Sequence, residues 1–583
     1  MKNDKIQRIN PKMILTAVSL AIITACTYSS HKQSTQQTIP STSQPKSTPD
    51  IETIQVSSNN IVVSEQQDKA VRQLKVAQKQ MFATTKMSVM PRNISMPRPI
   101  LPSPIERPII NEKNNNEQYL KSLQNPVKQV VTQPLSTFSI DVDTGSYSNS
   151  RRMINAGQLP PSDAVREEAF INYFNYDYLT PASFDVPFNI HTEMAAAPWN
   201  AQRQLLHIGI KGFEIEKSQL KAANLVFLLD VSGSMNAANK LPLLKSSLKM
   251  LTKQLDEDDS VAIVVYAGAA GVVLDASAGN EHQKISQALD TLSAGGSTNG
   301  QQGIELAYQI AQKNFKKGGV NRVILATDGD FNVGTQSLDE LKALIANKRE
   351  TGIALTTLGF GQGNYNDALM EQLANIGNGQ HAYIDNLNEA RKVLVDELSS
   401  TMQIIAKDVK VQVEFNPQLV AEYRLIGYQN RLLANEDFNN DNIDAAELGA
   451  GHTVTAIYEL TMANSTQKHI DDLRYSSNHK TPQGDINTSE VAFVKVRYKQ
   501  PTNNKSQLIS HKVLTANADN LVSSDFKFAA AVAGFAQMLK GAKYLGQWHY
   551  NDIATLANQN KGDDPFGYRS EFIQLVKTAA ALQ

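Results

Sequence analysis

The sequence predicts an α/β protein organised on a doubly wound, mostly parallel sheet. A small α+β region precedes that sheet, and a β-rich module ending in helices follows it. Three observations lead there. Between residues 222 and 402, short apolar runs alternate with longer stretches of helical periodicity, as expected of strands joined by crossover helices. The first of these runs, residues 225–229 (Leu-Val-Phe-Leu-Leu), is continuously apolar, as a strand buried on both faces must be. Beyond residue 404 the helical period gives way to a series of strand-like segments.

The chain has 583 residues, more than one ordinary domain, and a formal net charge of −1. That balance gives no reason to expect a nucleic-acid partner. Residues 1–25 carry Lys2, Lys5, Arg8 and Lys12, then an apolar segment too short to span a bilayer. The segment ends Ile23-Thr24-Ala25-Cys26, and Cys26 is the single cysteine. It resembles a bacterial lipoprotein signal peptide with its lipobox, with Ile23 where Leu is more usual. The resemblance implies lipidation of Cys26, and Thr27 rather than Asp after it implies sorting to the outer membrane. Residues 26–133 are then expected to be a polar, Pro-rich tether, disordered or extended, with room for a short helix over 66–82.

Order is expected from Pro134. Residues 134–221 read as an α+β flank: a strand over 136–144, helices over 149–156 and 163–173, and further strands over 188–210. Asp141 and Asp143 read as solvent-facing acids rather than metal ligands. In the central domain, residues 222–402, strands are expected at 225–229, 261–266, 271–274, 322–326, 354–360 and 382–384. Helices fill 238–255, 281–292, 300–315, 337–347, 365–376 and 387–404, and Leu243, Leu244, Ser247, Leu248 and Leu251 share one face of the first. Residues 403–583 follow with strands at 409–415, 421–427, 452–460 and 491–498, then small-residue-rich helices at 526–542 and 570–581.

The chemistry concentrates where strands end. Asp230 closes the first apolar run, and Ser232 and Ser234 follow at alternate positions. In open α/β sheets the ligand site lies just beyond the carboxyl ends of the strands, and oxygen is the donor that magnesium prefers. Thr298 sits in the turn Gly295-Gly296-Ser297-Thr298, and Asp328-Gly329 ends the run that starts at Arg322. Asp-x-Ser-x-Ser, a Thr in a Gly-rich turn and a strand-end Asp-Gly resemble the metal-ion-dependent adhesion site of von Willebrand factor type A domains. The likeness spans roughly residues 222–402 and all five positions match. It implies Mg2+, or another divalent cation such as Mn2+ or Ca2+. Ser232, Ser234 and Thr298 would bind it through hydroxyls, while Asp230 and Asp328 would contribute carboxylates, often through water. It further implies that a partner protein's acidic side chain completes the coordination. The helix expected from Ala238 would add its positive end to that attraction. The flanks, from Ser136 through Asn172-Tyr173-Phe174 and at 423–428 and 449–455, resemble those of a subgroup of type A domain lipoproteins.

Other constellations have blander readings. Residues 437–444 have calcium-loop spacing but no turn glycine, and Glu447 falls one residue early for the closing ligand. Gly359-Phe360-Gly361-Gln362-Gly363 reads as a turn, Ser246 and Lys249 as helix surface, His452 as a strand residue, and Trp548-His549-Tyr550 as packing. The expectation is a non-enzymatic, lipid-anchored binding protein of the cell envelope that holds a protein partner through a divalent cation. The alternative is a structural envelope scaffold in which the metal only stabilises the fold. A metal-dependent hydrolase is least supported, since no general base or nucleophile accompanies the hydroxyls.

Overall fold

The computed structural model describes residues 116–140, 143–297, 300–329, 338–471, 489–515 and 522–583. The expected leader, Cys26, the helix at 66–82, Asp141 and Thr298 lie outside the described residues.

The N-terminal region supplies β1 (Lys128–Gln129), β2 (Leu135–Ser139), β3 (Phe188–Ala197) and β4 (Asn200–Gly212), with helices Gly145–Asn155 and Glu167–Ile171 between β2 and β3. The central region supplies β5 (Ala223–Asp230), β6 (Ser260–Tyr266), β7 (Ala270–Ala278), β8 (Val320–Thr327), β9 (Ala354–Phe360) and β10 (His381–Ile384). The C-terminal region supplies β11 (Ile404–Phe415), β12 (Val420–Ile426), β13 (Ala446–Gly449), β14 (Thr453–Met462), β15 (Glu490–Lys499) and β16 (Ser506–Leu514). Helices Ser524–Leu539, Tyr550–Gln559 and Tyr568–Ala581 close the chain.

The central sheet runs β10-β9-β8-β5-β6-β7 and is parallel except for β7. Every residue of β5 is buried, as its unbroken apolar run requires. The side chains divide by the strand's period of two. Leu225, Phe227 and Leu229 pack with Leu244 and Leu248 on one face. Val226 and Leu228 pack with Ile304, Ala307 and Tyr308 on the other. From β5 the chain winds outward through β6 and β7, then returns on the opposite side to β8. The direction of winding therefore reverses between β5 and β8, and a crevice opens at their carboxyl ends.

The flanks do not stand as separate modules. One sheet runs β1-β12-β14-β4-β3 and a second runs β13-β11-β15-β16, with β2 also on β11. Both mix strands from before and after the central domain. β2 and β13 share one edge of β11, pairing with its residues 410–414 and 404–409 respectively. The flanks thus build one frame, and the central domain is inserted between β4 and β11. An apolar core of Leu206, Ile208, Ile210, Val454, Tyr458, Val411, Val413, Val494 and Val496 fills the space between the two sheets. A second gathers the flanking helices, with Tyr147, Phe170, Phe174, Phe535 and Phe572 at its centre.

Several boundaries move. Residues 116–133, read as tether, already lie on the body: Asn116 N–H donates to Gly363 O (2.9 Å), and β1 pairs with β12. The helix expected over 387–404 is three pieces, Leu387–Arg391, a π-helical turn Lys392–Asp396 and Leu398–Met402, and Ile404 opens β11 instead. Asp143 does not face solvent. It is buried, accepts from the His381 backbone N–H (2.7 Å) and pairs with Arg431.

Charge holds the seam between frame and central domain. Arg151, fully buried, pairs with Asp385 and Glu389 of the central domain and Glu571 of the frame. Arg166 pairs with Asp367 and Glu371, and Arg431 joins Asp143 to Glu371. Among the described residues, each of the four apolar clusters lies wholly within the frame or wholly within the central domain.

Candidate functional site

Asp230 is the last residue of β5, and Asp328 follows the last residue of β8. The two strands are neighbours at the reversal of the sheet, so both carboxylates reach one crevice. Both are buried. Asp230 Oδ1 accepts from Ser232 N–H (2.8 Å), and Oδ2 accepts from Thr327 Oγ1–H (2.9 Å). Burial pushes the Asp230 carboxyl above its usual range and the Asp328 charge adds to the rise, while Ser232 and Thr327 oppose it. A cation at this position would relieve both upward pressures.

Ser232 and Ser234 lie at the start of the short turn Gly233–Asn236, and their hydroxyl oxygens are 3.0 Å apart. Adjacent ligands of an octahedral magnesium at about 2.1 Å stand about 3 Å apart, so the pair has the spacing of neighbouring ligands on one ion. Ser232 is buried and Ser234 exposed, which leaves the rim open to solvent. The glycine-rich turn approaches from the side, with Gly233 N–H donating to Gly296 O (3.1 Å) and Gly295 N–H to Val231 O (2.8 Å). Gly296 stands two residues before Thr298 in sequence. Among the described residues no group of three or more His, Cys, Asp or Glu side chains forms a metal cluster. A cation here would therefore depend on hydroxyls as much as on carboxylates. The donor set of hard oxygens fits a magnesium-like ion.

One residue of the site was not picked out from the sequence. Lys240, buried, places its ammonium 2.7 Å from Asp328 Oδ2. Its stem is held by close approach to Gly361, where a Cβ would fall 2.3 Å from the lysine Cε. The helix expected from Ala238 begins at Leu241, and Lys240 is the residue immediately before it. A lysine ten residues after the first acid of the motif is visible in the sequence, but its direction is not.

Residues 224–397 match the von Willebrand factor type A domain family, and residues 113–207 match a second family described as von Willebrand factor. Residues 400–582 match the family described as uncharacterized protein YfbK, C-terminal. Over 468 residues the chain is 48% identical to the uncharacterized protein YfbK of Escherichia coli K12, covering 79% of this chain and 81% of that protein. The chain belongs to the YfbK family. The chain also aligns with inter-alpha-trypsin inhibitor heavy chain H3 of Homo sapiens, 24% identical over 270 residues, 41% of this chain and 28% of that protein. A solved von Willebrand factor type A structure from Catenulispora acidiphila is 14% identical, with a TM-score of 0.38, covering 69% of this chain and 91% of that one. The type A domain of this YfbK-family chain points to a protein-interaction or adhesion-type role.

The remaining constellations resolve as structure. Ser246 bonds back to Pro242 O and Lys249 pairs with Asp290 at the surface. Trp548 packs 5.5 Å from Trp199 and fills the space above Gly534. In the 437–444 stretch, Asp444 pairs with Arg349.

Proposed function

We propose that this YfbK-family chain is a non-enzymatic, lipid-anchored binding protein of the bacterial cell envelope, at the outer membrane. It grips an acidic side chain of a protein partner through a divalent cation held by Asp230, Ser232, Ser234, Thr298 and Asp328. The observation that carries this reading is the 3.0 Å hydroxyl pair beside two buried carboxylates at the reversal point of the sheet. Ser232 and Asp230 orient one another through the Ser232 backbone, and Thr327 fixes the second Asp230 oxygen. When bound, the cation supplies a coordination position for a carboxylate that the chain's own residues leave unfilled. Lipidated Cys26 would hold the body to the membrane through the tether.

The test is crosslinking in intact cells, with and without EDTA, comparing the wild-type chain with Asp230→Ala. Partners should be captured by the wild type alone and lost with chelator, while the Asp230→Ala chain keeps its circular dichroism. Identical capture in all arms sinks the proposal. The seam of buried ion pairs centred on Arg151 favours one other reading, an envelope scaffold in which the cation only stabilises the fold. On that reading Thr298→Ala lowers the melting temperature and leaves capture intact.

A further inference from the structure

Residues 116–119 lie as a strap across the loop that follows β9. Asn116 N–H donates to Gly363 O (2.9 Å), Gln118 N–H donates to Tyr365 O (3.0 Å), and Gln118 forms a parallel bridge with Asn366. Side chains reinforce this ladder. Glu117 Oε1 accepts from Gly363 N–H (3.0 Å), and Arg152 Nη2 donates to both Glu117 oxygens (2.9 Å each). Tyr119 O–H donates to Glu117 Oε2 (2.6 Å) and accepts from Asn149 Nδ2 (2.9 Å). The Glu117 side chain is 2% exposed, so its charge-assisted bonds are not the loose, water-screened kind found at a surface.

The loop so tied, residues 361–366, touches both neighbours of Asp328. At one end Gly361 lies under the Lys240 stem, where a Cβ would fall between 2.3 and 2.9 Å from the lysine Cε, Cγ and Cδ. At the other end Tyr365 and Asn366 pack on Gly329, where a Cβ would meet the Asn366 nitrogen at 2.5 Å and Tyr365 Cα at 2.7 Å. Arg152, which grips Glu117, also donates to Gln362 Oε1 (3.3 Å) in the middle of the loop. Close packing of this kind passes a shift on rather than absorbing it. Strap, loop, lysine stem and Asp328 therefore form one continuous line of contacts.

We propose that residues 116–119 are a latch that keeps the Lys240 ammonium on Asp328, and that freeing them lets the lysine swing out and uncovers the carboxylate. With the strap seated, Gly361 fixes the stem, and the ammonium 2.7 Å from Asp328 Oδ2 repels any cation brought to that carboxylate. With the strap released, the loop loses its backbone partners and the Glu117 carboxylate, and the stem loses its floor. The consequence for a divalent cation rests on the reading of Asp230 and Asp328 as its ligands. On that reading the seated strap is the weak-binding state and the released strap the tight-binding one, and the ion shifts the balance by its preference for the second. The segment that leads back to Cys26 continues directly from residue 116 in the sequence, so a pull from a membrane anchor would load the strap.

Two readouts on the full chain test the latch, the first without metal. Acetylation by an N-hydroxysuccinimide ester, followed lysine by lysine by mass spectrometry, reports release of Lys240. Glu117→Ala cuts the side-chain bonds of the strap and Gln118→Pro its backbone bond to Tyr365. Each should speed Lys240 labelling about fivefold or more, while Lys245 and Lys249 of the following helix keep wild-type rates. Calorimetric titration with Mn2+ is the second readout. Both variants should bind the ion about fivefold or more tightly than the wild type, and neither should add to the affinity of Lys240→Met when combined with it. Wild-type labelling of Lys240 in both variants overturns the latch. So does an unchanged Kd in both when the wild type binds Mn2+, or an equal gain in the Lys240→Met background. Faster Lys240 labelling with no Mn2+ bound by any chain supports the latch and removes the cation reading instead.

Discussion

Lys240 is the residue on which the proposed cation site turns. Its ammonium lies 2.7 Å from one oxygen of the Asp328 carboxylate that a divalent ion would share, on a largely buried side chain. Two like charges about 4 Å apart in a partly buried setting repel by roughly 4 kcal/mol at an effective dielectric near 20. Lysine therefore competes with the ion until its side chain swings away. Replacing it by methionine keeps the stem against Gly361 and removes the charge. Lys240→Met should raise Mg2+ or Mn2+ affinity at least about tenfold by calorimetry, with the fold unchanged. An unaltered affinity would mean that Asp328 takes no part in holding the ion. The positions of Asp230, Ser232, Ser234 and Asp328 were legible because each ends a strand or opens a turn, so the backbone dictates where it sits. Lys240 was not, because a long flexible chain reaches its partner through space, and only the bare Gly361 beneath its stem decides which way it points.

Among the elements, β5 was the easiest to read and the segment after β10 the hardest. A strand buried on both faces has no choice but to be apolar throughout, and β5 extends the expected 225–229 run by only a few residues. Residues 387–404 carry a helical period, yet the helix loosens into a π turn at Lys392–Asp396. There Lys392, buried, pairs with Glu397 and lies 4.7 Å from the centre of the Tyr173 ring. That contact joins distant parts of the chain and leaves no local period. The strand β13 and the helix Tyr550–Gln559 were also not expected, and β16 was missed because it lies at a sheet edge with Leu508 and Leu514 exposed, so its hydrophobic alternation is weak. The turn after β8 yields a prediction of its own. Gly329 has φ +89°, and a Cβ there would lie 2.5 Å from the Asn366 backbone nitrogen. The left-handed backbone alone costs a side chain about 1–2 kcal/mol. Gly329→Ala should lower the melting temperature by calorimetry and weaken divalent-cation binding, because the turn carrying Asp328 must shift. A variant with wild-type stability would show that the turn relaxes freely.

For the molecule as a whole, the central domain is an insertion, not a bead on a string. Its two chain crossings are close together: Gly212, at the end of β4, donates its N–H to His452 O (2.9 Å), and a Cβ on it would stand 2.9 Å from Ile405 Cδ1 near the start of β11. The apolar clusters respect that division, and buried ion pairs and hydrogen bonds cross it. Buried pairs contribute little net stability against a well-packed alternative, but breaking one costs several kcal/mol, so they fix an arrangement more than they drive it. Sequence periodicity shows none of this, since β4 and β14 pair across some 250 residues of intervening chain. Because both frame sheets and both frame cores are built without residues 222–402, the frame is expected to fold without the insert. Replacing residues 222–402 with a short Gly/Ser linker should leave a soluble, cooperatively melting protein with the β-rich circular dichroism of the two frame sheets. Arg151 and Arg166, deprived of Asp385, Glu389 and Asp367, would then face water rather than an empty interior. If the deletion yields only aggregated or unfolded chain, the ion-paired seam is part of the folding core, and the central domain cannot be an independent head carried on a frame.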